Sequence, residues 1–272
     1  AKIQAGNTWE LSAVPYIPAL ENVARHAAQL RNARVDGLML GWTLRGYPSP
    51  NLEVACAISS ETGEEQGNSV EQAVEKTLNQ VARRRFGAST APAVVQAWRR
   101  CSEAFREFPF HIGLVYTAPM QFGPSNLLWA EATGYKATMI GFPYDDLDGW
   151  RQVYPADVFI GQFNKMADGF ESAARDLRNN SENRERESEQ SHNLARELDV
   201  MNAAAIHFRS TANQARFVAL RRQLASAKPD EHSRLARELR EVLRSEIQLA
   251  RQLWEIQQRD SRIGFEASNQ YY

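Results

Sequence analysis

The sequence predicts an α/β protein: a partial (β/α)-barrel-like part over residues 1–155, then an α-helical hairpin or bundle domain over residues 156–272. Three observations carry this expectation. Short apolar segments alternate with amphipathic helices in the first half, as in β-α-β units. These segments end in polar and aromatic residues, and ligands of α/β folds gather at the C-terminal ends of parallel strands. Past Pro155 the strand pattern stops, and apolar residues recur at steps of three and four.

Residues 1–10 read as a strand, with Ile3 and Gly6 before a polar end. A helix starts near Pro18, since proline fits a first helical turn, and Leu20, Val23, Ala24, Ala27 and Leu30 mark its inner face. Residues 35–44 open with an apolar run, as in a strand buried on both faces. The Gly/Pro-rich residues 46–50 form a loop, and residues 51–60 suit helix or strand equally. Ser69 is placed to cap a helix running to Arg85. Val94, Val95, Trp98, Cys101 and Phe105 give the next helix its face, and Pro109 ends it. Residues 112–116 and 137–142 are further short strand candidates.

In the second half, Phe159, Phe163, Met166, Phe170, Ala174 and Leu177 form one helical stripe. The polar residues 179–192 interrupt it. A long helix follows from about Leu194 to Ala225, Lys228-Pro229-Asp230 turns the chain, and a last helix runs to about Gln258. Leu235, Leu239, Val242, Leu249 and Leu253 face inward on that helix, so the two form an antiparallel hairpin.

The chain has 272 residues, 43% of them hydrophobic and 24% charged, with a net charge of −1. That balance gives no basis for nucleic acid or an anionic membrane as partner. No apolar run approaches the roughly 20 residues that a membrane span needs. Cys56 and Cys101 are compatible with free thiols or a pair. The five histidines lack metal-ligand spacing, so no metal is expected. No phosphate-cradling or dinucleotide glycine loop and no nucleophile elbow occurs, so no cofactor is expected either. The abrupt ends suggest the C-terminal part of a larger protein, completed by its N-terminal portion or by a second copy.

The sharpest chemical constellation is Asn7-Thr8-Trp9-Glu10. A carboxyl beside an indole suits a general acid on a sugar, whose ring stacks on flat apolar faces. Asn7 and Trp9 are candidate sugar contacts, and Trp42 and Tyr47 are candidate stacking platforms at the end of the next segment. Asp145 and Asp146 offer the second carboxylate that glycoside hydrolysis usually needs, with Tyr144 and Trp150 beside them. The blander alternatives are a Glu10 surface ion pair, a Trp42 in the core, and aspartates that cap helices and shape turns.

The segment Gly41-Trp42-Thr43-Leu44-Arg45-Gly46-Tyr47-Pro48-Ser49-Pro50-Asn51 resembles a family of large bacterial glycoside-hydrolase-like proteins. Residues 138–146 (TMIGFPYDD) and 262–269 (RIGFEASN) add to the resemblance. It implies the later part of a (β/α)8 barrel followed by a helical region, and polysaccharide degradation, with a periplasmic or secreted location favoured over the cytoplasm. The leading expectation is therefore a glycoside hydrolase, or the C-terminal part of one, with Glu10 as acid/base and Asp145 or Asp146 as its partner. The alternatives are a non-catalytic carbohydrate-binding protein and a helical assembly module that dimerises through a surplus apolar stripe on residues 156–260.

Overall fold

The computed structural model describes residues 1–6, 8–41, 47–60, 69–115, 117–136, 145–181 and 188–264. Among these residues the chain forms nine α-helices and no β-strand. The expected α/β class and partial (β/α) barrel are thereby corrected, and with them the likeness to a barrel glycoside hydrolase. Residues 1–6 and 37–41 come together at a single parallel bridge, Lys2 with Met39. Ile3 N–H donates to the Met39 carbonyl at 2.9 Å, and Met39 N–H to the Ala1 carbonyl at 2.8 Å. One bridge is not a ladder. No third segment among the described residues extends it, and a lone two-stranded pair has little stability of its own. Residues 112–115 form turns instead of a strand, with Leu114 N–H donating to the His111 carbonyl at 2.9 Å, and Ile112 is exposed. The candidate at residues 137–142 lies outside the described residues.

The helices follow their apolar periodicity. They are α1 (Leu20–Asn32), α2 (Pro50–Ser59), α3 (Val70–Phe86), α4 (Ala91–Phe105), α5 (Ala118–Phe122), α6 (Leu147–Arg151), α7 (Ala156–Asn179), α8 (Glu189–Ser226) and α9 (Pro229–Arg259). The ambiguous stretch after Pro50 is helical. Ser49 accepts from Leu52 N–H, and proline sits in the first turn, where its missing N–H costs nothing. Ser69 and Gln72 form a reciprocal capping box on α3. Gly87 ends α3 at φ 81, a left-handed backbone that a side chain resists.

The chain divides into two compact units. Unit 1 comprises the described residues of Ala1–Thr8, Val14–Arg106 and Gly169–Asn202. Its core packs α1 against α2, α3 and α4, with Phe86 and Trp98 edge-to-face at 5.8 Å. The carboxylate of Glu197, 1% exposed, accepts from the Tyr16 hydroxyl at 2.5 Å and the Trp98 indole N–H at 2.7 Å. The charge of Glu197 and, more strongly, burial push the Cys101 thiol well above its usual range. Unit 2 comprises the described residues of Trp9–Ala13, Glu107–Asp168 and Ala203–Tyr272. Phe159, Phe163 and Phe208 form its aromatic centre. From Ala203 to Leu220 the buried residues of α8 point in every direction, as in a central core helix.

Candidate functional site

The structure describes six of the nine residues that the sequence grouped. Asn7, Trp42 and Tyr144 lie outside the described residues. Trp9, Glu10, Asp145, Asp146 and Trp150 belong to unit 2, and half-buried Tyr47 to unit 1. The Gln121 side chain fixes the Trp9–Ser12 turn: its Nε2 donates to the Trp9 carbonyl at 2.9 Å, and its oxygen accepts from the Ser12 N–H and hydroxyl. Glu10 on this turn keeps one carboxylate oxygen, Oε2, buried and without a hydrogen-bond partner among the described residues. Trp150 is 1% exposed and serves the core.

The two aspartates have structural work. Asp145, buried, meets half-buried Arg221 at 2.6 Å. Thr133 adds its N–H and hydroxyl to the same carboxylate. Burial raises the Asp145 pKa, but Thr133 and Arg221 together outweigh it and hold the carboxyl below its usual range. A carboxyl held ionised in this way is a poor proton donor at neutral pH. Asp146 caps α6, accepting from Gly149 N–H at 3.2 Å. Asp146 thus caps a helix, and Asp145 holds an ion pair.

Unit 1 contains a half-open groove of about 1060 Å³. Leu30, Val35, Leu38, Leu40 and Ala55 provide its apolar lining, with Arg34 among its polar residues. None of the described sequence-predicted residues lines it.

A further surface feature is on α9. Its inner face repeats every seven residues, with Leu235, Val242, Leu249 and Ile256 all buried. Glu246 occupies this seam and is 6% exposed. It accepts from Ser210 at 2.7 Å and from Asn213 at 2.8 Å, both on α8. Burial pushes the Glu246 carboxyl up to about 7, against the opposing pull of Asn213 and Ser210. The polar seam continues through Gln214, which donates to Ser210 and to the Gly123 carbonyl and accepts from Asn126. His207, 1% exposed, donates through Nδ1 to the Met120 carbonyl at 3.1 Å, and burial holds it down to about 4. Gly123, at φ 52, lies so close to this ring that a Cβ would sit 2.5 Å from it.

With its inner face sealed, α9 still carries Leu243, Ile247 and Trp254 outward, at 37%, 55% and 61% exposure. Their steps of four and seven place them along one edge of the helix, with exposed Ala250 filling the intervening turn. Arg237, Arg240, Arg244 and Arg251, all exposed, run along the flank of this ridge. Among the described residues none of the four has a carboxylate partner, and Arg240 bonds the Ala236 carbonyl. The sequence reading placed Leu235, Val242, Leu249 and Leu253 on the inner stripe of α9, where they are buried, together with Leu239, which is half-buried, but named no residue of this second stripe. Its signal was the same helical spacing, offset around the axis.

Cys56 and Cys101 are free thiols, exposed and buried respectively. Among the described residues no three His, Cys, Asp or Glu side chains cluster as metal ligands. No described helix is long and apolar enough to cross a membrane. No known protein family, no curated protein and no solved structure matches this chain.

Proposed function

We propose that this chain is a helical assembly module that engages another polypeptide through the outer face of α9. The observation that carries the reading is the ridge of Leu243, Ile247 and Trp254, left in solvent on a helix whose core-facing stripe is already complete. Contiguous apolar side chains exposed beside polar ones mark interaction surfaces, and tryptophan and arginine dominate binding energy where they occur. The test titrates an amphipathic helical peptide, and a scrambled peptide of the same composition, into the full chain. Wild type is expected to bind the amphipathic peptide saturably, and Leu243→Ser/Ile247→Ser/Trp254→Ser to lose at least about tenfold in affinity with little change in melting temperature. Equal binding of both peptides overturns the reading. So does an absence of binding together with a strict monomer on sedimentation.

A second reading keeps carbohydrate as a ligand of the Trp9–Glu10 turn. What supports it is half-buried Glu10, whose Oε2 has no hydrogen-bond partner among the described residues, so that a sugar hydroxyl admitted by movement of the turn would supply one. Calorimetry with a panel of soluble oligosaccharides tests it. Heat of binding that falls in Glu10→Gln supports it, and heat that is absent or unchanged removes it.

A further inference from the structure

The ridge on α9 differs on its two sides. One side turns into the seam where Glu246 and Leu253 meet the core. The other carries the row Arg237, Arg240, Arg244 and Arg251, with Glu241 and Glu255 beyond it. The ridge from Leu243 to Trp254 spans about 16 Å of helix axis, and the arginine row about 21 Å. Four guanidinium groups at helical spacing, none with a carboxylate partner among the described residues, form a strip of positive charge on a nearly neutral protein.

Resting on the assembly reading, we infer that the occupant of this ridge is an acidic amphipathic helix from a different polypeptide, about four turns long. Its apolar row packs along Leu243, Ile247 and Trp254, and carboxylates on its flank meet the arginine row. Helices dock through side chains at i, i+3, i+4 and i+7, and that is the spacing offered here. Arginine forks pair with carboxylates in two-point geometry and lose less on desolvation than ammonium groups do.

Charge disfavours the other occupants. In a two-fold antiparallel pair of this chain packed ridge to ridge, the two arginine rows lie side by side and repel. An anionic bilayer suits a helix that sinks a broad apolar face into the headgroup boundary. Here the broad stripe of Leu235, Val242, Leu249, Leu253 and Ile256 is sealed in unit 2, and a ridge one side chain wide remains.

The experiment compares two synthetic helical peptides with the same Leu/Ile row, one flanked by glutamates and one by lysines, by anisotropy against the full chain. The glutamate peptide is expected to bind at least about tenfold tighter than the lysine peptide. That preference is expected to weaken with salt and to vanish in Arg240→Glu/Arg244→Glu/Arg251→Glu. These side chains are exposed, and melting curves confirm that the variant folds. Equal or tighter binding of the lysine peptide overturns the acidic partner and leaves the assembly reading standing. A concentration-dependent dimer abolished by Trp254→Ser assigns the ridge to a second copy, with the same consequence. Binding to phosphatidylserine vesicles without peptide binding, or a strict monomer that binds neither peptide nor vesicle, overturns both.

Discussion

Glu197 shows how much one side chain does in unit 1. It lies at the centre of the core, yet two strong donors, the Tyr16 hydroxyl and the Trp98 indole, satisfy its carboxylate. Glu197→Ala strands both donors in an apolar setting, and we expect a loss of about 2–5 kcal/mol in denaturant unfolding. Glu197→Gln preserves shape and an acceptor oxygen and is expected to lose clearly less. Equal losses would show that shape alone matters at this position. At this scale the sequence revealed residue types but not partners. Asp145 and Asp146 drew notice as acids beside aromatic rings, but Arg221, which binds Asp145, lies far away in the chain. Nothing local distinguishes a carboxylate awaiting substrate from one already paired. The Gly41–Asn51 resemblance failed for a related reason: a short string of residues carries no record of the sheet that would have to surround it.

Helices were legible because their signal is local. The face of α1, the Ser69 cap of α3, the aromatic stripe of α7 and the α8–α9 hairpin were all visible in spacing and end signals. Strands were not, because a strand is defined by its neighbours. Residues 1–6 and 35–40 have the composition of buried strands, yet they share one bridge, and Val35, Leu38 and Leu40 stay half-exposed. The capping box on α3 gives a test at this scale. Ser69→Ala leaves Gln72 N–H without its acceptor, and we expect a loss of about 1 kcal/mol, read as a lower melting temperature. Ser69→Asp restores the acceptor and is expected to recover most of that loss. An alanine variant as stable as wild type would mean that packing alone sets the start of the helix.

For the molecule as a whole, two buried groups in unit 2 set opposing dependences on pH. The His207 pKa falls from 6.5 to about 4, so the unfolded chain takes up a proton first, and stability declines as pH drops through that interval. The Glu246 pKa rises from 4.5 to about 7, so the folded chain keeps its proton longer, and stability declines as pH climbs through that interval. Each slope is on the order of 1 kcal/mol per pH unit. Between 4.5 and 6.5 they act against each other, and we expect wild-type melting temperature to vary little there. His207→Gln exposes the glutamate slope, with stability falling as pH rises. Glu246→Gln exposes the histidine slope, with stability rising over the same range. Melting curves at a series of pH values check this, and parallel profiles for both variants would refute it. The position of Glu246 also bears on how α8 and α9 align. A purely aliphatic seam tolerates sliding by one turn, but a carboxyl matched to Ser210 and Asn213 does not, since a shift would take it from both donors. That single acid works as a pin through the hairpin, fixing how far one rod can travel along the other and, with it, which side chains the outer rod holds toward the surroundings.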